Sequence, residues 1–225
     1  MTRTNRLPLL SDYDAIIFDM DGVLIDSEPL WKIAMEFVFE QYGSTLTHQD
    51  FQKTVGLRID EVIAFWNSQE NWGLSDLKHV ENQIIDKLVS LIELDPKPLK
   101  GVRETLSFLK ESGKKIGLAT SSSQRLISTV LGALHIEDYF DFTYSAEFET
   151  YGKPHPGVYI KVAEYLAVPT QRCLVIEDSL NGVIAGLAAK MKVCCIPEKT
   201  HHPNPKLSVA HFEFTDLDQL LANWR

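Results

Sequence analysis

The hydrophobic positions of this 225-residue chain follow two different rhythms. Between about 27 and 95 they recur at helical spacing. Leu30, Ile33, Ala34, Phe37 and Val38 form one stripe, Ile59, Val62, Ile63 and Trp66 another, and Leu77, Val80, Ile84, Leu88, Leu91 and Ile92 a third. Intervals of three and four residues put apolar side chains on one helix face. On either side of this block the pattern changes. Short, mainly apolar segments at about 14–19, 116–119, 140–144, 173–176 and 193–196 read as strands, with helices over 101–112, 124–134, 157–167, 180–190 and 216–224. An apolar run too short for a helix and bounded by polar residues suits a strand covered on both faces. Strand–helix alternation of this kind implies a parallel sheet with right-handed crossovers.

The pattern therefore predicts an α/β, Rossmann-like core with five parallel strands, interrupted straight after the first strand by an α-helical insertion. Residues 1–26 and 97–225 make the core and 27–96 the insertion, hinged near 23–27 and 95–99. The stretch Asp95-Pro96-Lys97-Pro98 is a stiff break. Local signals set the ends of elements. Ser27 reads as an N-cap with Glu28 and Pro29 in the first turn, and Gly43 stops that helix. Thr47 with Asp50 opens a short second helix, Ser75 caps a long helix over 76–93, and Gly113 follows the helix 101–112.

Composition narrows the class. Lys and Arg total 22 against 31 Asp and Glu, a net charge of −9, which disfavours nonspecific binding to nucleic acid or an anionic membrane. No run approaches the length of a membrane span, and Leu7-Pro8-Leu9-Leu10 is too short for a signal-peptide core. Cys173, Cys194 and Cys195 lie in apolar strand-like runs without metal spacing, as buried reduced thiols of a cytoplasmic protein. His48 and His155 read as surface or capping residues, and His201-His202-Pro203 as a solvated loop.

Chemistry enters at the strand ends. The first run breaks into Asp19, Met20, Asp21 and Gly22. Two neighbouring carboxylates repel and call for a cation or a proton. The second strand leads to Thr120 and Ser121 at a helix start, where anions bind. Lys153 precedes the helix 157–167, and the fourth strand ends at Glu177 and Asp178. In a parallel sheet these groups converge on one rim. Acids for a hard cation, hydroxyls and N–H groups for an anion, and a lysine together fit phosphoryl transfer with Mg²⁺.

Asp19-Met20-Asp21-Gly22, Thr120, Lys153-Pro154 and Glu177-Asp178-Ser179 resemble the four motifs of the haloacid-dehalogenase-like (HAD) hydrolase superfamily, over about 14 to 222. The helical insertion resembles the small cap of the β-phosphoglucomutase-like subfamily. The stretch from Phe18 to Trp31, with Gly56-Leu57-Arg58-Ile59-Asp60, is most similar to bacterial sugar-phosphate phosphatases of the 2-deoxyglucose-6-phosphate phosphatase kind. The resemblance implies an Mg²⁺-dependent phosphomonoesterase acting on a small-molecule sugar phosphate, working as a monomer. In it Asp19 is the nucleophile and Asp21 the general acid and base. Asp19, the Asp21 backbone and Asp178 hold the metal, with Glu177 in or near that shell, and Thr120, Ser121 and Lys153 bind the phosphoryl group. Gly56, Arg58, Glu28 and Trp31 face the substrate from the cap, Arg58 as the reader of the sugar. Mutases of this subfamily carry a histidine where Trp31 stands, so the sequence departs from them and favours water as acceptor. A phosphomutase, and a phosphate-binding regulatory module without turnover, are the alternatives.

Overall fold

A computed structural model describes residues 7–197 and 204–225, apart from the side chains of residues 48 and 52. The two histidines of the 201–203 loop lie outside these residues. The elements follow the chain as β1 (Ala15–Phe18), α1 (Glu28–Phe39), α2 (His48–Phe51), α3 (Ile59–Glu70), α4 (Leu77–Leu94), α5 (Val102–Glu111), β2 (Lys115–Thr120), α6 (Gln124–Leu134), β3 (Phe142–Ser145), α7 (Gly157–Tyr165), β4 (Cys173–Glu177), α8 (Leu180–Ala188), β5 (Lys192–Cys195), β6 (Phe212–Glu213) and α9 (Leu217–Trp224). Every strand is parallel to its neighbours, in the order β3-β2-β1-β4-β5-β6. The chain winds one way from β1 and the other way from β4, so a crevice opens at the carboxyl ends beside β1, where ligands of such sheets bind.

Successive side chains of a strand point to opposite faces, and the core divides accordingly. Ile16, Phe18, Ile116, Leu118, Leu174 and Ile176 face one way, with the apolar stripes of α5, α6 and α9. Ala15, Ile17, Cys173, Val175 and Val193 face the other, with α7 and α8. The first cluster runs on without a break into Ala34, Val38, Ile63, Trp66, Ile84 and Leu88, so the helical insertion shares the core of the sheet domain. Helix α4 packs on α1 and α3 within the insertion and on α6 of the core. The three cysteines are free and buried.

The chain enters and leaves the insertion through adjacent segments. Leu99 N donates to Leu24 O at 3.0 Å, Asp26 N to Lys97 O at 3.4 Å, and Ile25 bridges Pro98 in antiparallel fashion.

Three expectations change in detail. The sheet has a sixth strand, a two-residue piece paired with β5 that is too short to leave a periodic signal. Helix α4 is capped by Asp76, which accepts from His79 N at 2.9 Å, rather than by Ser75. Ser27 does hold the N-cap position of α1, yet its hydroxyl makes no cap bond and turns to Asp21 instead. Among the described residues no helix is long and apolar enough to cross a membrane.

Candidate active site

Strand register brings the site together. Phe18 of β1 is level with Leu118 of β2 and with Ile176 of β4. The next residues, Asp19, Ala119 and Glu177, therefore emerge side by side, followed by Asp21, Thr120 and Asp178. Lys153 arrives from the loop before α7 and closes the group. Its Nζ donates to Asp19 Oδ1 at 2.9 Å, to Glu177 Oε1 at 2.7 Å and to Ala119 O at 3.1 Å. All of this is buried, Lys153 being only 2% exposed.

Burial pushes Asp19 up to about 7, with Glu177 and Asp21 adding to the rise and Lys153 opposing it. Burial, then Glu177 and Asp19, likewise holds Asp178 well above the usual carboxylate range. Burial alone would lower Lys153, but the charges of Asp19 and Glu177 outweigh it and keep the ammonium protonated. Burial would raise Glu177 too, but Lys153 and its other donors hold its carboxylate below the ordinary value. Lys153 thus neutralises one carboxylate, while Asp19 and Asp178 remain in mutual repulsion.

Ligand atoms of Asp19, Glu177 and Asp178 lie within 4.8 Å of one another. A buried set of oxygen ligands with excess negative charge, and no His or Cys, suits a hard divalent cation. Gly22 has φ +71°, and a Cβ there would stand 2.0 Å from Asp178 Oδ2, so the glycine lets the Asp178 carboxylate lie against this turn. Glu177 contributes from behind. Its Oε1 accepts from Lys153 Nζ and Tyr159 OH, and its Oε2 from Asp178 N, Ser179 N and Ser179 Oγ. So many donors leave it better suited to holding Lys153 than to binding a metal.

Asp21 is built differently. Its Oδ1 accepts from Ser27 Oγ at 2.5 Å and Trp31 Nε1 at 3.0 Å, and its Oδ2 from Ser122 Oγ at 2.6 Å. Its side chain is thus held apart from the Asp19, Glu177 and Asp178 cluster.

Above these residues lies a cleft of about 740 Å³ including its open mouth, of a size that suits a small metabolite. Asp19, Asp21, Thr120, Ser121, Lys153 and Asp178 form its floor. Glu28, Trp31, Gly56 and apolar side chains of the insertion such as Phe51, Leu57 and Val62 form its roof. Among the described residues, Lys153 is the one Lys, Arg or His in this lining.

Arg58 stands elsewhere, against expectation. Its Nη1 donates to Glu149 O at 2.8 Å and Ala146 O at 3.2 Å, and its Nη2 to Asp60 at 3.1 Å. The guanidinium finds a richer set of acceptors at the core loop 146–149 than the apolar roof offers, and it ties α3 to that loop. Nearby, Ser121 Oγ donates to Gly56 O at 3.0 Å and Asn181 to Val55 O at 3.1 Å. Gly56 has φ +82°, and a Cβ would meet Ser179 Oγ at 2.8 Å, so the insertion approaches the core backbone closely here. Thr120 is the last residue of β2; the N-cap of α6 is Ser123.

Sequence reasoning passed over Ser122 and Tyr159. Ser122 sits in the run Thr120-Ser121-Ser122-Ser123, where composition alone cannot say which hydroxyl points inward. Tyr159 is hidden in the apolar stripe of α7 beside Val158 and Val162, and only its bond to Glu177 reveals it. Trp66 packs in the core of the insertion, as its stripe predicts, with Trp72 partly buried against it, and His155 accepts from Gly157 N at the start of α7.

A doubly wound parallel sheet with a carboxylate pair on its first strand, a buried lysine and a helical roof is the architecture of the HAD hydrolases, and residues 16–196 match the family model for haloacid dehalogenase-like hydrolases. The chain belongs to that family, and it is a phosphatase enzyme of it. Hexitol phosphatase B of Escherichia coli strain K12 is 38% identical over 209 residues, covering 92% of this chain and 94% of that one. A phosphorylated carbohydrates phosphatase of Thermotoga maritima is 36% identical over 183 residues, 78% of this chain and 81% of its own length. Among solved structures, a β-phosphoglucomutase from Clostridium difficile superposes with a TM-score of 0.84 at 27% identity, covering 92% of this chain and 93% of that one.

Proposed function

We propose that this enzyme hydrolyses small sugar monophosphates, hexose and hexitol 6-phosphates among them, in the cytoplasm and as a monomer, with Mg²⁺ as its metal. The observation that carries the reading is the cleft itself. Asp19, Asp21, Thr120 and Lys153 line its floor, and among the described residues its mainly apolar roof contributes no second Lys, Arg or His to the lining. A single phosphoryl group then sits at the floor with an uncharged alcohol beneath the roof. The names of the E. coli and T. maritima relatives support the same class of substrate.

Lys153 and the hydroxyl of Thr120 bind the phosphoryl oxygens. An Asp19 oxygen attacks phosphorus, the bond to the sugar oxygen breaks, and Asp21 gives that oxygen a proton. Water then attacks the phosphorus of phospho-Asp19, Asp21 takes its proton, and inorganic phosphate leaves as the Asp19 carboxylate is restored. Asp19, Asp178 and the Asp21 backbone would hold Mg²⁺, with Glu177 behind them. When bound, the ion would supply the positive charge that lets a dianion approach a carboxylate. Ser121 supports the phosphate loop and, through Gly56, the seating of the insertion. The two serines and the indole around Asp21 fix its carboxylate for both proton transfers.

Mutase chemistry on a bisphosphate would call for a cation at both ends of the cleft, and the roof offers Glu28 instead, 3.6 Å from Lys32. The experiment is a panel of hexose, pentose, hexitol and nucleoside monophosphates assayed for phosphate release with Mg²⁺ and with chelator. The expected result is release from hexose 6-phosphates, 2-deoxyglucose 6-phosphate included, that stops in chelator. Stoichiometric conversion of β-glucose 1-phosphate to glucose 6-phosphate with little free phosphate would overturn it.

A further inference from the structure

A hexose carries hydroxyls on most of its carbons, and each one needs a hydrogen-bond partner when it leaves water. The roof of the cleft has few to offer. Met35, Phe51, Ile59 and Val62 line it with buried apolar side chains, and Leu57 and the ring of Trp31 extend the same surface. The polar atoms of the roof are largely committed elsewhere. Trp31 Nε1 donates to Asp21 Oδ1, Thr54 Oγ1 donates to Phe51 O at 3.1 Å, Gly56 O accepts from Ser121 Oγ, and Val55 O accepts from Asn181 Nδ2. Glu28, 3.6 Å from Lys32, is the one charged side chain that the insertion brings to the lining among the described residues. The cleft is therefore divided, with a charged floor shaped for a phosphoryl group and an apolar cover over whatever the phosphoryl group is attached to.

We infer that the enzyme also hydrolyses phosphate monoesters of apolar, ring-bearing primary alcohols, the arylmethyl phosphates, and that it does so more efficiently than it hydrolyses a hexose 6-phosphate. The inference rests on the phosphatase reading given above and carries it from sugars to aromatic alcohols. The steps are unchanged. The bond from phosphorus to the alcohol oxygen breaks as Asp19 attacks, and that oxygen takes the proton of Asp21. Water then gives its hydroxyl to phosphorus and its proton back to Asp21, so the products are the arylmethanol and inorganic phosphate. What differs is the cover: an aromatic ring against Trp31, Phe51 and Leu57 buries apolar surface on both sides and strips water from no hydroxyl.

Benzyl phosphate and glucose 6-phosphate make a matched pair for the test. Each carries its phosphate on a CH₂ group attached to a six-membered ring, so the departing oxygen is that of a primary alcohol in both and only the ring differs. From phosphate release in Mg²⁺, kcat/KM is expected to be at least about tenfold higher for benzyl phosphate, within the range by which an apolar pocket rejects an added hydroxyl. Leu57→Asn, which sets an amide in the roof, should cut that preference about threefold or more. Val62→Thr, close to valine in shape, serves if the asparagine variant folds poorly. Equal or greater efficiency on glucose 6-phosphate would overturn the inference, and so would a preference that neither variant moves. Release of phosphate from neither ester, nor from p-nitrophenyl phosphate, would instead remove the phosphatase reading, and the inference with it.

Discussion

Asp19 and Asp21 are one residue apart in sequence and live in different surroundings. Asp19 faces Lys153 and the carboxylates of Glu177 and Asp178, while the Asp21 carboxylate accepts from Ser27, Trp31 and Ser122. The two should respond differently to amide substitution. Asp19→Asn should abolish turnover of any phosphomonoester, because an amide is a poor nucleophile. Asp21→Asn should lose about 10²–10⁴ in kcat on sugar phosphates, and steady-state assays of both variants check this. Asp178 adds a prediction about stability. Burial and two neighbouring carboxylates disfavour its charge, so Asp178→Asn relieves repulsion when no cation is present. In chelator the variant should melt a few degrees above the unaltered protein, where about 1 kcal/mol corresponds to about 2–4 °C for a chain of this size. In Mg²⁺ that advantage should vanish together with activity. At this scale the candidate residues on the strand ends were legible, because each follows an apolar run that ends abruptly. Side-chain direction was not. Nothing in the spacing says that Ser27 abandons its cap for Asp21, or that Ser122 rather than Ser123 turns inward.

Among the elements, α3 shows how placement decides a role. Its N-cap residue, Arg58, has the charge to read a sugar or a phosphate, and the sequence suggested that use. In the fold its guanidinium spans from the insertion to the carbonyls of Ala146 and Glu149. Arg58→Ala should therefore weaken the seating of the insertion rather than the recognition of one substrate. The expected outcome is a lowered melting temperature and comparable losses on sugar phosphates and p-nitrophenyl phosphate. A rise in KM confined to sugar phosphates would return Arg58 to the role of sugar reader. Helices α3 and α4 were readable from their stripes, since long amphipathic segments leave a strong signal; α1 was readable as a helix but its face was not, because Ala34, Met35, Val38 and Phe39 are buried while Ile33 and Phe37 of the expected stripe are exposed. The two-residue β6 left none. Its existence depends on pairing with β5, a tertiary condition that no local pattern encodes.

For the molecule as a whole, the alternation of strands and helices was enough to predict a parallel sheet, though not its strand order or its sixth strand, and the interruption after β1 marked the run of helices α1 to α4. The continuity of the apolar core from the sheet into α1, α3 and α4 was not visible, because helical stripes show that a face is buried without naming what buries it. The paired segments at Leu24–Ile25 and Pro98–Leu99 carry a further consequence. The chain leaves the sheet and returns through a single port, so the topology of everything else is indifferent to what is plugged in there. We propose that residues 27–96 act as an exchangeable block, limited by the shared apolar core, by the fit of α4 against α6 and by the contacts of Ser27, Trp31, Gly56 and Arg58 with the sheet domain. Grafting the corresponding block of a relative with other preferences should move the ranking of sugar phosphates to that of the donor while turnover of p-nitrophenyl phosphate stays with the recipient. A ranking that stays with the recipient would count against this division of labour. On this view a change of substrate calls for a change of roof, provided the new roof still brings donors like Ser27 and Trp31 to Asp21.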